Sequence, residues 1–292
     1  MNLVVGWLIA VASALFGYVA LGGSVSLLWV PAEYLIIFGA ALGTLVAGNK
    51  LRNLKNLFVS VVRIFLKQSR SKSKNLALLC LMFELLQKIK RDGNLALEPD
   101  IENPHGSPLF TKYPDVLKNP RLLEFITDYF WMMLDGSVTL AQLETVMQQE
   151  IEVMRQEEME PSFSMSALSD SMPAFGIVAA IVGVIYTLNT ISSGKSPGEI
   201  GGSIASALVG TLFGVFTAYA IFSPISRILE QKAEEDIRPF EAIKEILVAN
   251  SSNFSPATAV EYGRKVLFSD QRPSMQELDA RLQATTGAGL RS

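Results

Sequence analysis

Four stretches of this 292-residue chain carry no charged side chain, and they constrain its fold more than any other feature. They cover residues 1–32, 34–49, 171–194 and 200–226. A helix needs about 17–25 consecutive, mainly apolar residues to cross the hydrocarbon core of a bilayer. We therefore predict four transmembrane helices, near residues 2–21, 33–49, 172–192 and 202–223.

The first apolar stretch also has to be compared with a secretory signal peptide. Ala20-Leu21-Gly22 resembles a cleavage site only weakly, and no basic residue precedes the apolar run. We therefore expect this stretch to remain as a membrane helix.

The basic residues predict the orientation of the four helices. Of the 25 Lys and Arg residues, 15 lie between Lys50 and Asp170 and nine lie from Arg227 onward, so both segments are expected in the cytoplasm. Both termini are then cytoplasmic. Four parts follow: transmembrane helices 1 and 2 with a short outer loop, a cytoplasmic helical domain, transmembrane helices 3 and 4 with a second short outer loop, and cytoplasmic C-terminal helices. Their bounds are 1–49, 50–170, 171–226 and 227–292.

The cytoplasmic segments are predicted to be helical. Apolar residues recur every three or four positions within 75–91, and similar patterns cover 121–134 and 139–158. Pro161 is expected to end the third of these helices. The range 227–250 is expected to continue the fourth transmembrane helix, with a kink at Pro239. No strand pattern is present in the sequence, so the predicted class is an all-α integral membrane protein with a large helical cytoplasmic domain.

The sequence offers few groups for catalysis. A single cysteine and a single histidine exclude an internal disulfide and any multi-His or Cys-rich metal cage. Within the predicted spans the one ionisable side chain other than tyrosine is Glu33, at a boundary of the second. Proton-moving and cation-moving proteins normally carry such a residue inside the membrane. Two interpretations follow: a passive scaffold, or a wall around a carboxylate that a partner's helix supplies.

Small residues and prolines favour the second interpretation. Gly39–Gly43 and Gly210–Gly214 are GxxxG motifs, which allow two helices to approach closely in lipid. Packing within the chain and self-association both remain open for them. Pro173 begins the third span and Pro224 ends the fourth, where a proline is either a simple terminator or a hinge.

Several motifs together resemble one family. The fourth span contains Ala207-Leu-Val-Gly-Thr-Leu-Phe-Gly214 and leads to Pro224, and the third contains Pro173-Ala-Phe-Gly-Ile-Val-Ala-Ala180. Outside the spans the matching segments are Leu95-Ala-Leu-Glu98, Asp100-Ile-Glu-Asn-Pro104, Ala259-Val-Glu-Tyr-Gly-Arg-Lys265 and Arg272-Pro-Ser-Met-Gln-Glu277. This combination resembles the MotA family, the A subunits of bacterial flagellar motor stators, over nearly the whole chain.

The resemblance implies a function and a set of partners. Such chains form a ring of five copies around a dimer of the single-span B subunit, MotB, which supplies the proton-accepting aspartate and anchors the unit to peptidoglycan. The ring converts proton flow into torque on a rotor switch-complex protein. No substrate bond is made or broken, so neither an enzyme activity nor a cofactor is expected. Membrane lipid is an expected contact, and nucleic acid is not.

The resemblance also assigns roles to individual residues. Pro173 and Pro224 match the two prolines that couple protonation to movement, and Thr211 matches the threonine beside the ion path. Ala180 lies where sodium-driven relatives tend to carry a hydroxyl group, so its methyl group favours protons. Glu98 matches the acidic residue that contacts the rotor. The matching basic residue is Lys90 by position, or Arg91 if the contact needs a guanidinium fork.

Two alternatives belong to other functional classes. One is an energy transducer like ExbB or TolQ, although those chains usually have three spans rather than four. The other is a non-conducting membrane scaffold.

Overall fold

The structure is a computed structural model that describes residues 2–66, 71–136, 138–191 and 196–289. Every regular element in these ranges is a helix, which confirms the predicted all-α class. The α-helices are α1 (Asn2–Ala20), α2 (Pro31–Gly48), α3 (Leu51–Phe65), α4 (Ser71–Asp92), α5 (Glu98–Glu102), α6 (Pro114–Leu117), α7 (Pro120–Asp135), α8 (Leu140–Ile191), α9 (Pro197–Thr217), α10 (Ser223–Ser251), α11 (Pro256–Val266) and α12 (Met275–Gly289).

The chain divides into two compact units. Unit 1 comprises residues 1–67 and 159–232, and unit 2 comprises residues 68–158 and 233–292. Both α8 and α10 run from one unit into the other, so each unit is assembled from segments that are distant in the sequence.

The candidate membrane helices lie wholly or partly in unit 1. Four helical segments are long and apolar enough to span a bilayer: Leu3–Ala20, Val25–Gly48, the α8 segment Leu140–Asn189, and the segment Pro197–Ser251 formed by α9 and α10. Large apolar side chains are fully or largely exposed on them, among them Leu8, Phe16, Leu35, Ile185 and Leu208. An aqueous surface of this kind would be unstable, whereas lipid tails cover such side chains without penalty.

The amphipathic helix α3 follows the second membrane helix, and the sequence analysis did not predict it. Leu57 is buried against unit 1, while Phe58, Val62 and Phe65 form an exposed apolar face. Arg52, Lys55 and Arg63 are also exposed, and helical geometry places them beside that face. This arrangement is typical of a helix at a membrane–water interface.

Unit 2 has a conventional apolar core. All residues of α4 from Leu78 to Leu86 are buried, so this helix is enclosed on every side rather than on the one face that its periodicity indicated. Phe125 of α7 packs its ring edge against Phe240 of α10, with ring centroids 5.3 Å apart. The guanidinium of Arg155 on α8 pairs with Glu234 and Glu241 of α10.

The prediction that Pro161 ends a helix is wrong, because α8 continues through both Pro161 and Pro173. A proline inside a helix removes one backbone hydrogen bond and causes a steric clash, a cost of roughly 3 kcal/mol that surrounding packing can offset. The side chains of Ser162 and Ser226 are buried next to Pro161. Each hydroxyl donates to the other residue's carbonyl oxygen over 3.0 Å, which joins α8 to α10 within unit 1.

Candidate functional site

The third and fourth membrane helices are in direct backbone contact. A methyl group added at Gly176 of α8 would lie 2.9 Å from the carbonyl oxygen of Gly210, and one added at Gly214 would lie 2.7 Å from that of Met172. These separations are too short for any side chain, so α8 and α9 require glycine at this crossing. The Gly210–Gly214 motif therefore packs within the chain. The second motif differs, because nothing lies within 4 Å of a methyl group placed on Gly39 or Gly43.

Thr211 belongs to the same crossing. Its hydroxyl lies 3.5 Å from the carbonyl oxygen of Gly176, which is the outer limit of a hydrogen bond. Thr211 and Ala180 are both half-buried. The weak bond leaves the threonine oxygen able to accept or donate elsewhere.

The two prolines that match the family motif, Pro173 and Pro224, lie at irregular points of their helices. Pro173 has no N–H and cannot donate to the carbonyl of Ser169, four residues earlier in α8. Pro224 is the second residue of α10 and directly follows a π-helical segment, Ala218–Phe222. Wider helical turns of this type occur mainly at functional sites.

One buried hydrogen bond connects the two irregular points. The Ser169 hydroxyl donates to the carbonyl oxygen of Ala218 over 2.8 Å, and Ser169 is only 2% exposed. The same carbonyl accepts the N–H of Ser223, one residue before Pro224. The backbone that precedes Pro173 is thereby linked to the π-helical turn that precedes Pro224.

Glu33 is buried, although its sequence position indicates a membrane boundary. It lies in the first turn of α2, with 8% of its surface exposed. Its carboxylate lies against Gly183 of α8 and Gly210 of α9. A lone acidic residue at the edge of an apolar stretch was the available signal, but its burial depends on glycines far along the chain.

The residues expected to contact a rotor lie in unit 2. Lys90 and Arg91 end α4, Glu98 begins α5, and all three are exposed. The guanidinium of Arg91 bonds the Asp92 carboxylate through Nε and Nη2, at 2.9 and 2.8 Å, and lowers the pKa of that carboxyl. Within the described residues neither Lys90 nor Glu98 forms an ion pair.

A buried ion pair supports the segment that carries Glu98. Asp100 of α5 is 4% exposed and accepts hydrogen bonds from Lys88 Nζ at 2.5 Å and from Ser107 Oγ at 2.6 Å. These bonds join α5 to the last turns of α4, so the acidic and basic candidates lie on adjoining elements.

The structure thus divides the predicted site residues into two groups. Pro173, Ala180, Thr211 and Pro224 belong to unit 1, and the charged residues Lys90, Arg91 and Glu98 belong to unit 2. Thr211 of the first group lies at the close helix crossing, and the second group is exposed and charged.

Comparison with known proteins shows which family has this sequence and fold. A model of the motility protein A N-terminal region matches residues 4–93, and a model of the MotA/TolQ/ExbB proton channel family matches residues 122–242. Motility protein A of Salmonella typhimurium is 37% identical over 97% of this chain and 96% of its own length.

Two solved structures have the same fold. MotAB from C. jejuni matches with a TM-score of 0.71 at 21% identity, covering 94% of this chain and 98% of that one. The flagellar MotAB stator complex from Bacillus subtilis matches with a TM-score of 0.68 at 22% identity, covering 93% and 98%. The family predicted from the sequence motifs is confirmed: the chain belongs to the motility protein A family.

Proposed function

We propose that this chain is the A-type subunit of a bacterial flagellar motor stator, which forms a proton channel with a single-span B subunit and converts proton flow into torque. The observation that carries the proposal is the 37% identity to motility protein A along almost the entire chain. The structure supports it, since α8 and α9 are closely packed at Gly176, Gly210 and Gly214 and a π-helical segment follows α9. The work is mechanical, so the chain is not an enzyme.

The proposed assembly is a ring of five copies around two B subunits in the bacterial inner membrane. Two solved structures with this fold are of MotAB, one described as a flagellar stator complex, which supports a MotB-like partner and an oligomer. The exposed apolar sides of α1, α8 and α9 supply surfaces for neighbouring copies, the partner's helix and lipid. The distribution of basic residues supports cytoplasmic termini, with residues 50–170 and 227–292 on the same side.

The coupling mechanism follows from the two proline-associated turns. Protonation of a partner's carboxylate removes its charge in a low-dielectric wall, which changes the wall contacts that are favourable. A five-fold wall cannot satisfy a two-fold core at every position, so each proton passage advances the ring. Pro173 and Pro224 allow α8 and α10 to bend at points that the Ser169–Ala218 bond holds together.

The ion is proposed to be a proton. Ala180 presents only a methyl group, so at this position the wall adds no oxygen ligand for Na⁺. Thr211 supplies a hydroxyl that can bond a passing water, because its bond to Gly176 is at the outer distance limit.

The rotor contact is proposed to use Glu98 together with a basic residue of α4. Asp92 already occupies two donors of the Arg91 guanidinium, whereas Lys90 is exposed and forms no ion pair within the described residues. This arrangement favours Lys90 as the cation that meets the rotor's charged surface.

Swimming assays test the proposal. The chain would be expressed with its B subunit in a bacterium that lacks its own stator, and we expect swimming to be restored. Pro173→Ala and Pro224→Ala should abolish torque while the complex keeps normal abundance in the membrane. Normal swimming of both variants would contradict the coupling role, and no swimming with the unmodified, assembled complex would contradict the stator function.

A further inference from the structure

Glu33 occupies a space that the two neighbouring helices leave open for it. A methyl group added at Gly210 would lie 2.5 Å from Glu33 Oε2, and one added at Gly183 would lie 3.4 Å from Oε1. Ala179 and Ala207, the other nearby side chains, are also small and fully buried. Any larger residue at Gly210 would displace the carboxylate, so the shape of the wall accommodates this one polar group.

Among the described residues, the backbone of Gly210 interacts with the Glu33 carboxylate, but it leaves Oε2 unsatisfied. Glu33 Oε2 is buried and accepts no hydrogen bond from the described residues. The sequence of α8 from 171 to 191 and of α9 from 200 to 217 contains one titratable side chain, Tyr186, which is 63% exposed. The adjacent Tyr34 directs its hydroxyl to the carbonyl of Leu28 instead.

An unsatisfied oxygen of this kind is destabilising, because burial removes its hydrogen bonds to water and nothing replaces them. An apolar side chain of similar size would fill the same space without that cost. Ionisable residues in membrane helices are rare and usually lie on an ion path. No described residue satisfies Oε2, and a proton is the simplest cation that satisfies one oxygen.

We propose that Glu33 is a proton-relay residue, placed between the segment 22–30 that precedes α2 and the carboxylate of the B subunit. An O–H bond forms at Glu33 as an O–H bond of a hydronium ion breaks, leaving water. Glu33 then gives the proton to a water molecule, which restores the Glu33 carboxylate. That water passes a proton on to the carboxylate of the B subunit. This inference rests on the proposed stator function and adds a second proton-carrying group, contributed by the wall itself.

Proton flux through the complex of this chain with a B subunit, reconstituted in vesicles under a pH gradient, tests the relay. Glu33→Gln keeps the size and polarity of the side chain but cannot exchange a proton, so we expect at least a tenfold loss of flux. Glu33→Asp should keep a measurable part of it. Glu230→Gln, at an exposed carboxylate of α10 in the same unit, is the matched control and should conduct normally.

A second pair of variants changes the space around the Glu33 carboxylate rather than the acid itself. Gly210→Ala introduces a methyl group 2.5 Å from Oε2, whereas Gly201→Ala on the same helix has nothing within 4 Å. We expect reduced flux only for Gly210→Ala.

The outcomes separate the relay from the stator function. Flux of assembled Glu33→Gln within twofold of the unmodified complex would overturn the relay and leave the stator function intact. Absence of flux in the unmodified complex would instead contradict the stator function. If Glu33→Gln does not assemble, infrared difference spectra between acidic and alkaline outer pH decide. A carboxylic acid C=O band in the unmodified complex that shifts in Glu33→Asp supports the relay. Identical difference spectra for the unmodified complex and for Glu33→Asp overturn it.

Discussion

Gly214→Ala is the sharpest structural test of the helix crossing at the centre of unit 1. The new methyl group would lie 2.7 Å from the carbonyl oxygen of Met172 and 2.9 Å from the Cα of Gly176. Both obstacles are backbone atoms, so no side chain can move aside. Ordinary contact begins near 3.4 Å, and α8 and α9 must therefore separate by about 0.7 Å at this level.

The separation has energetic and functional consequences. Overpacking of this type typically costs about 1–3 kcal/mol. The bond between Thr211 and Gly176, already 3.5 Å long, would break. We expect a lower thermal midpoint for the detergent-purified complex with the B subunit and a loss of swimming at near-normal membrane abundance.

The matched control is Gly39→Ala, which introduces the same methyl group on α2 with nothing within 4 Å in this chain. It should leave the thermal midpoint of the isolated chain unchanged. If Gly214→Ala showed the same midpoint as the unmodified complex and swam normally, the argument that the crossing requires glycine would be refuted.

Three further predictions follow from other parts of the structure. Ser169→Ala removes the hydrogen bond to the Ala218 carbonyl, which keeps its bond from the N–H of Ser223. The free energy of unfolding should therefore fall by only about 1 kcal/mol, while motor torque falls. Unchanged torque would contradict the link between the proline-associated turns. Glu98→Lys should impair swimming without changing membrane levels, as immunoblots of membranes would show, and normal swimming would refute the rotor contact. Burial raises the pKa of the Cys80 thiol to about 11, so alkylation near pH 8 should be slow in the native chain and rapid after denaturation; rapid native labelling would contradict its burial.

Much of the architecture was predictable because it depends on local composition. Charge-free stretches of sufficient length specify membrane helices wherever they occur in a chain, and the motifs around Pro173 and Gly214 were sufficient to indicate the family. These features require no knowledge of which residues meet in space.

The features that were not predicted all depend on contacts between distant segments. The burial of Glu33 depends on glycines at positions 183 and 210, and next to Pro161 a buried serine pair joins α8 to α10. Local rules treat a charge as a boundary and a proline as a stop. Packing between distant segments overrides both rules here: Glu33 is buried rather than at a boundary, and α8 continues through Pro161.

The central claim is that this chain forms the wall of a proton channel whose conducting carboxylate is supplied by a partner. Its most direct test is ion flux in inverted vesicles that contain the chain with and without its single-span B subunit, in a variant of the B subunit that keeps the channel open. We expect proton flux only when both subunits are present, and we expect that flux not to depend on a Na⁺ gradient. Sodium-driven flux would contradict the ion assignment at Ala180, and the absence of any flux from an assembled complex would contradict the channel itself.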